Sequence, residues 1–336
     1  MNLKPSISII IAIFNRKDEL FELLNSLAFQ TDKDFEVIVV DDGSLIALLP
    51  TVELFEDRLN IQFFRKDNSG PGLSRNYGSR RAKGEWLVFV DSDVIVEKDY
   101  IKNIRKNIVE IPCDAFGGAD KAHKGFNLMQ KAISYSMTSV FTTGGIRGNK
   151  SAVTKFQPRS FNMGVRKSAF EDVGGFSEMR IGEDPDLSMT LWEKGYKTAF
   201  FDDIGVYHKR RTDFGKFSKQ VSQFGIARPI LNQRHPNYVK ITFAFPSLFL
   251  IGYVLGFIEY FFLGNGFILA MYGVYTFLVF FHALWKTRNI SIAGMAVIAT
   301  YIQMFSYGYG FLKSWFLLNI FRMKPEEAFP EHFHKQ

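Results

Sequence analysis

"EWLVFVDSDVIVE", residues 85–97, decides the fold. Trp86 to Val90 is an unbroken apolar run, Val94 to Val96 is apolar again, and between them stand Asp91 and Asp93, separated by one serine. A short run rich in aromatic and β-branched side chains reads as a buried strand. An isolated ionised carboxylate is costly in an apolar interior unless it is paired or coordinated. The two acids therefore mark the end of the strand, where side chains reach water or meet positive charge.

The neighbouring segments repeat the pattern. "SISIIIAIF" (6–14) is nearly continuous and β-branched, as expected of a strand covered on both faces of a parallel sheet. "KDELFELLNSLAFQ" (17–30) then places Leu20, Leu23, Leu24 and Leu27 at helical spacing. "FEVIVVDDGS" (35–44) is a second strand ending in Asp41, Asp42 and a glycine turn. A helix is expected over roughly 51–58 and a third strand at 60–66. "NSGPGLSRNYGSRRAKG" (68–84) reads as a glycine-rich turn and a helix with Pro71 near its start. Strands alternating with helices indicate a doubly wound α/β sheet, whose ligands bind beyond the carboxyl ends of the strands. Two strands with acidic ends beside a glycine-rich turn suggest a nucleotide with a divalent cation.

Further along, "FNMGVRKSAFEDVGGF" (161–176) suggests a strand, a short helix and a turn. "GEDPDLSMTLWEKGY" (182–196) reads as a helix capped by Asp184, with Pro185 first inside it and Gly195 as its stop. "DAFGGADKAH" (114–123) and "TTGGIRGNK" (142–150) carry glycine pairs suited to loops. "FGKFSKQVSQFGIARPIL" (214–231) is a basic amphipathic helix candidate.

Composition bounds the function. Hydrophobic residues make up 47% and aromatics 16%, too apolar for a disordered chain. The net charge is +7, and "HKRR" (208–211) precedes the apolar region, which points to an anionic membrane surface. No nucleic-acid motif is present. A lone cysteine, Cys113, excludes an internal disulfide and reads as a small buried hydrophobe. "MNLKPSISIIIAIFNRKDEL" lacks a signal-peptide cleavage pattern and reads as a first strand, which keeps this domain in the cytoplasm.

Five ordered blocks, "SIIIAIFNR", "VIVVDDGS", "NSGPGLSRNYGSRRAKGEWLVFVDSD", "FNMGVRKSAFEDVGGF" and "GEDPDL", resemble the family 2 glycosyltransferases, inverting enzymes of the GT-A fold. The resemblance covers residues 6–187. It implies that Ala12, Phe14 and Asn15 lie where the family's backbone meets the nucleobase, and that Asp42 rather than Asp41 hydrogen-bonds the base. Gly70, Arg75 and Asn76 match the turn and helix that hold the nucleotide. Asp93 is the implied direct metal ligand, Asp91 faces the ribose or a metal-bound water, and His208 matches a third metal or diphosphate ligand. Asp184 matches the catalytic base, with Glu183 shaping the site. Asn162 is open between a donor contact and a turn role, and Glu183 and Asp186 between site residues and first-turn helix charges.

The chemistry asks for the same groups. A departing diphosphate develops oxygen charge that a hard cation stabilises. Mg²⁺ or Mn²⁺ takes carboxylate oxygen, and Mg²⁺ needs only one or two carboxylates plus phosphates. Inversion needs a base to take the acceptor's proton. The implied protein is a membrane-anchored transferase moving one sugar from a UDP- or GDP-type donor to a lipid-linked or membrane-proximal glycan. A processive polysaccharide synthase is the runner-up: "QVSQFGIARP" offers Gln220, Gln223 and Arg228 but lacks the tryptophan of such enzymes' Q-x-x-R-W motif. A non-catalytic nucleotide-binding membrane protein is the third reading.

The expected organisation is a GT-A domain at 1–237, a membrane domain at 238–320 and a polar tail at 321–336. Apolar segments at 241–262, 266–284 and 291–312 are each about long enough to cross a bilayer of roughly 30 Å. The first two form a hairpin turned by "LGNG", with Lys286 and Arg288 returning to the cytoplasmic face of an inner membrane. Gln303, Ser306 and Lys313 dilute the third. It is read as a span, with an interfacial helix as the rival.

Overall fold

The computed structural model describes residues 6–121, 126–143, 155–208 and 213–334; the basic residues after His208 and most of "TTGGIRGNK" lie outside them. The chain runs β1 (Ile7–Ile13), α1 (Lys17–Ala28), β2 (Glu36–Asp41), α2 (Leu49–Glu53), β3 (Asn60–Arg65), α3 (Pro71–Ser79), β4 (Trp86–Val90), β5 (Val94–Val96), α4 (Tyr100–Glu110), β6 (Ala115–Lys121), α5 (Leu128–Thr138) and α6 (Val140–Thr143). It continues through β7 (Asn162–Arg166), α7 (Lys167–Asp172), α8 (Glu183–Glu193), β8 (Thr198–His208), α9 (Phe214–Arg234), α10 (Phe245–Leu263), α11 (Phe267–Thr287), α12 (Ile290–Asn319) and α13 (Pro325–Ala328).

Two compact units result. One comprises residues 1–121, 152–209 and 331–336, the other 122–151 and 210–330. This differs from the boundaries expected from the sequence. The amphipathic helix α9 belongs with the apolar helices, as does α5, and residues 331–334 belong with the sheet rather than with a separate tail. Hydropathy reports what a segment buries, not which partner buries it.

The first unit is one sheet in the order β3-β2-β1-β4-β7-β6-β8-β5. The first four strands are parallel. β7 then runs antiparallel to β4 and β6, and β5 antiparallel to β8. The doubly wound expectation holds for the first half, and the second half is mixed. Both faces are covered, which explains the near-continuous apolar strands. Ile7, Ile9, Ile11 and Ile13 face Leu20, Leu23, Leu24 and Leu27 of α1. Ile10, Ile38 and Phe89 face the opposite layer, with Leu187 and Leu191 of α8. Each of the four α1 leucines is fully buried, so truncating any one to alanine costs about 2–5 kcal/mol.

In the second unit, α10, α11 and α12 are each long and apolar enough to cross a membrane. α12 extends well past the expected 312 to Asn319. Its glycines serve close packing: a Cβ at Gly310 would stand 2.3 Å from the Ser222 carbonyl oxygen of α9, and one at Gly308 2.4 Å from that of Pro246. These glycines weaken the hydropathy signal without interrupting the helix.

Candidate active site

The carboxyl ends of β1, β2 and β4 converge with the starts of α3 and α8. At the end of β2, Asp41 accepts from the Ser44 amide at 2.8 Å, while the Asp42 amide donates to Ile13. The Asp42 carboxylate, 4% exposed, accepts from the Ser69 amide at 2.9 Å, the Gly70 amide at 2.7 Å and the Ser74 hydroxyl at 2.8 Å. The Lys66 ammonium also pairs with it. Gly70 caps α3 at φ +83°, a left-handed backbone that a side chain resists, and Pro71 opens the helix with its φ already set.

Around the end of β1, Ala12 pairs with Val40 in register, and Phe14 stands 45% exposed. Asn15 takes a left-handed φ of 55°, its amide donating to Ser44 Oγ and its Oδ1 accepting from the Leu45 amide. Ala12, Phe14 and Asn15 thus lie at the carboxyl end of β1, beside the end of β2 where Asp42 binds Gly70.

Arg75 links the end of β4 to the start of α8. Its guanidinium, 4% exposed, donates to Asp91 Oδ1 at 2.7 Å and to Glu183 Oε1 at 3.1 Å. Burial works against its charge, and the two carboxylates more than offset it, so its pKa rises above the usual value. Asn76 spends both ends of its amide on the Phe176 backbone, pinning the loop before α8 to α3. Asp93 pairs with Arg16, at the N-cap of α1. The positive charge demanded by the two strand-end acids is therefore a pair of arginines, each supplied from a different helix.

α8 starts earlier than its sequence suggests. Gly182 is the N-cap, in a left-handed turn at φ +79°, and Glu183 is the first helical residue. Asp184 is consequently not a cap, and its carboxylate lies 3.5 Å from the Arg159 guanidinium. Burial first, then the neighbouring Asp184 charge, pushes the Glu183 carboxyl up to about 7, while Arg75 pulls it back. Asp186 is buried in the same first turn.

Asn162 is structural: its Oδ1 accepts from the Tyr100 hydroxyl at 2.7 Å and its Nδ2 donates to the Ile204 carbonyl at 2.8 Å. His208 ends β8, its backbone in register with Val94, one residue beyond Asp93. Among the described residues no cluster of three His, Cys, Asp or Glu could hold a metal alone. The sequence reading passed over Arg16, Arg159 and His334. Arg16 stood inside the "AIFNR" block, but ion pairs across 77 positions leave no local signal.

A sheet of this topology, with acids and a glycine turn at its carboxyl edge, defines a GT-A glycosyltransferase fold. Solved structures agree. A mannosyltransferase from Pyrobaculum calidifontis, solved with GDP-Man and Mn²⁺, superposes with TM-score 0.56 at 16% identity, covering 96% of this chain and 89% of that one. Residues 1–349 of Staphylococcus aureus TarS give TM-score 0.51 at 21% identity, covering 91% and 90%. Residues 8–174 match Glycosyl transferase family 2, and the chain carries a glycosyltransferase domain of that family. The poly(ribitol-phosphate) beta-N-acetylglucosaminyltransferase TarS of S. aureus strain Mu50 is 39% identical over 210 residues, 61% of this chain and 36% of that protein. An uncharacterised glycosyltransferase of Haemophilus influenzae is 30% identical over 199 residues, 58% of this chain and 64% of that one. The chain thus spans less than two thirds of the length of these curated relatives.

Proposed function

We propose that the chain is a membrane-anchored, inverting glycosyltransferase that moves a single sugar from a UDP- or GDP-type donor to a lipid-linked or membrane-proximal glycan. The observation that carries this reading is Arg75, which ties Asp91 at the end of β4 to Glu183 at the start of α8. The acids suited to a diphosphate and the acids suited to a base thereby belong to one charged cluster.

The roles follow from position. The carboxyl ends of β1 and β2, with Ala12, Phe14, Asn15, Asp42 and Gly70, receive the nucleoside. Asp184 takes the proton of the acceptor hydroxyl as it attacks the anomeric carbon opposite the leaving diphosphate. Glu183 and Arg75 position it. Asp93 and Asp91 are hard-oxygen donors of the kind that would hold Mn²⁺ or Mg²⁺. Arg16, its side chain 36% exposed, is free to yield its hold on Asp93 to such an ion. A cation bound there supplies positive charge to the departing diphosphate. His208 falls at the same strand edge by backbone register.

Purified protein should hydrolyse or transfer a nucleotide sugar in a Mn²⁺-dependent way, read by mass spectrometry with membrane lipids as acceptors. Lack of turnover with every UDP- and GDP-sugar would sink the reading. Long polymeric product in place of a single addition would favour a processive synthase.

A further inference from the structure

Two adjacent acids open α8, and each meets a different arginine. Glu183 accepts from Arg75 of α3 at 3.1 Å, and Asp184 Oδ2 lies 3.5 Å from Nη1 of Arg159. The arginines differ in kind. Arg75 is buried and shared with Asp91, whereas the Arg159 side chain is 34% exposed and its guanidinium makes no hydrogen bond among the described residues. β7, α8 and β6 fix the backbone of Arg159. It pairs with Asn162 across a tight turn, the Asn162 amide donating to the Arg159 carbonyl at 2.9 Å, and the Asn162 side chain is anchored to Tyr100 and Ile204. Ser188 Oγ of α8 lies 2.9 Å from the Asp184 carbonyl oxygen and 3.4 Å from that of Pro158, so one hydroxyl touches both Asp184 and the residue before Arg159. From β6, a Cβ at Gly117 would stand 3.2 Å from the Pro158 Cα. Arg159 therefore presents its charge to Asp184 from a firm base.

Asp184 has little else to orient it. Among the described residues no donor hydrogen-bonds its carboxylate, in contrast to Asp42, Asp91 and Asp93. Glu183 and Asp186 share its helical turn and carry the same sign. The repulsion from Glu183 is felt on both sides: after burial, the Asp184 charge is the next cause that raises the Glu183 carboxyl to about 7. Arg75 is spent on Glu183 and Asp91. Arg180 and Glu178, on the loop leading into α8, face His334 instead. Repulsion from Glu183 and attraction to Arg159 together draw the Asp184 carboxylate toward the turn before β7. A hold at 3.5 Å without a hydrogen bond leaves the carboxylate's lone pairs to an incoming hydroxyl, whereas a forked arginine would fill them.

We propose that Arg159 is the positioning residue of the base: its charge holds the Asp184 carboxylate in the orientation from which it takes the acceptor's proton, without occupying it. This rests on the glycosyltransferase reading above and on Asp184 as its base. A partly exposed ion pair adds little to stability, so the effect of Arg159 appears in rate rather than in melting temperature.

The test uses the full chain in detergent with Mn²⁺ and a panel of UDP- and GDP-sugars, water serving as the acceptor, beside equilibrium binding of UDP and GDP. Wild-type protein that turns over none of the sugars refutes the glycosyltransferase reading itself, and full turnover in Asp184→Asn refutes the base assignment. Given an enzyme that needs Asp184, Arg159→Gln should lower kcat about ten- to hundredfold at unchanged nucleotide affinity, the scale of a misplaced reacting group. Arg159→Lys should recover most of the loss, since the hold is a charge and not a fork of hydrogen bonds. On the Asp184→Asn background, Arg159→Gln should cost nothing further, because a residue that acts through Asp184 then has nothing to position. An undiminished rate in Arg159→Gln overturns the proposal. So does a loss that persists in the double variant, which would give Arg159 a contact of its own with substrate. A melting temperature lowered in step with the rate also overturns it and leaves the residue a structural part.

Discussion

Arg75 Nη1 lies 3.1 Å from Glu183 Oε1, joining two helices 108 positions apart in sequence. Both side chains are buried, 4% and 10% exposed. Removing one member of a buried pair leaves an uncompensated charge and costs about 3–5 kcal/mol. Arg75→Ala should therefore lower the melting temperature sharply and abolish turnover. Arg75→Lys should recover part of the stability but little activity, because an ammonium cannot fork between Asp91 and Glu183 as a guanidinium does. A stable, active Arg75→Ala would remove the observation on which the proposed function rests.

Glu183 makes a signed pH prediction. Its carboxyl is raised to about 7, burial being the first cause. Between the unfolded value of about 4.3 and that point the folded state binds more protons than the unfolded one, so stability falls as pH rises. Glu183→Gln has no such proton. The melting-temperature difference, wild type minus Glu183→Gln, should shrink or change sign from pH 5 to pH 8. A difference that grows with pH would show that Arg75 outweighs burial.

Much of this was legible in the sequence because it is local. The buried strands, the carboxylates at their ends and the Gly70–Pro71 start of α3 each follow from a few adjacent residues. Three features were not. The helix start at Gly182 was misread as a cap at Asp184, since Asp184–Pro185 is a good capping pair and only the left-handed φ of Gly182 shows that the turn begins earlier. The Asp93–Arg16 pair and the return of residues 331–334 are long-range contacts that no periodicity announces. The mixed half of the sheet was likewise hidden, because β6, β7 and β8 carry glycines and polar residues that blur their apolar pattern.

Arg16 and a divalent cation compete for Asp93 under the proposed mechanism. Asp93→Ala should abolish metal-dependent transfer while leaving the fold intact. Arg16→Ala should have the opposite sign on metal affinity, reaching half-maximal rate at several-fold lower Mn²⁺. Titration of Mn²⁺ against initial rate reads both. Unaltered metal dependence in the two variants would separate Asp93 from the cation.

Asp184 is the second residue of α8 and not its cap, so Asp184→Asn should not alter helix stability. Asparagine matches its shape and cannot take a proton. Loss of a positioned base costs about 10²–10⁴-fold in rate. The variant should lose kcat on that scale with the donor's affinity unchanged. Full turnover in Asp184→Asn would move the base to Glu183 or Asp186.

The crossing number of the apolar helices follows from parity. Residues 155–208 and 331–334 belong to one folded unit, and such a unit lies on one side of a bilayer. The chain between them must cross an even number of times. α9 carries Lys216, Lys219, Arg228 and Arg234 and is not a span. Of the three candidates, α12 is the one expected to stay out of the bilayer core. The hydroxyls of Ser218 and Ser306 lie 2.8 Å apart, and a Cβ at Gly225 of α9 would stand 2.2 Å from the Tyr307 carbonyl oxygen, so the middle of α12 runs against a basic amphipathic helix. A third of its apolar window is buried inside the protein (33%), against 11% in each of α10 and α11. Lys313, Tyr309 and Trp315 suit the headgroup level. Parity thus predicts a two-span hairpin of α10 and α11 with α12 lying in the interface, the rival that the sequence left open beside a third span. Cys113 is buried and the only native cysteine, which keeps the labelling background low. Asn265→Cys, in the turn between α10 and α11, and Glu326→Cys, in α13, should label from opposite sides with an impermeant maleimide in intact cells. Labelling of both from the same side would restore the third span and break the parity.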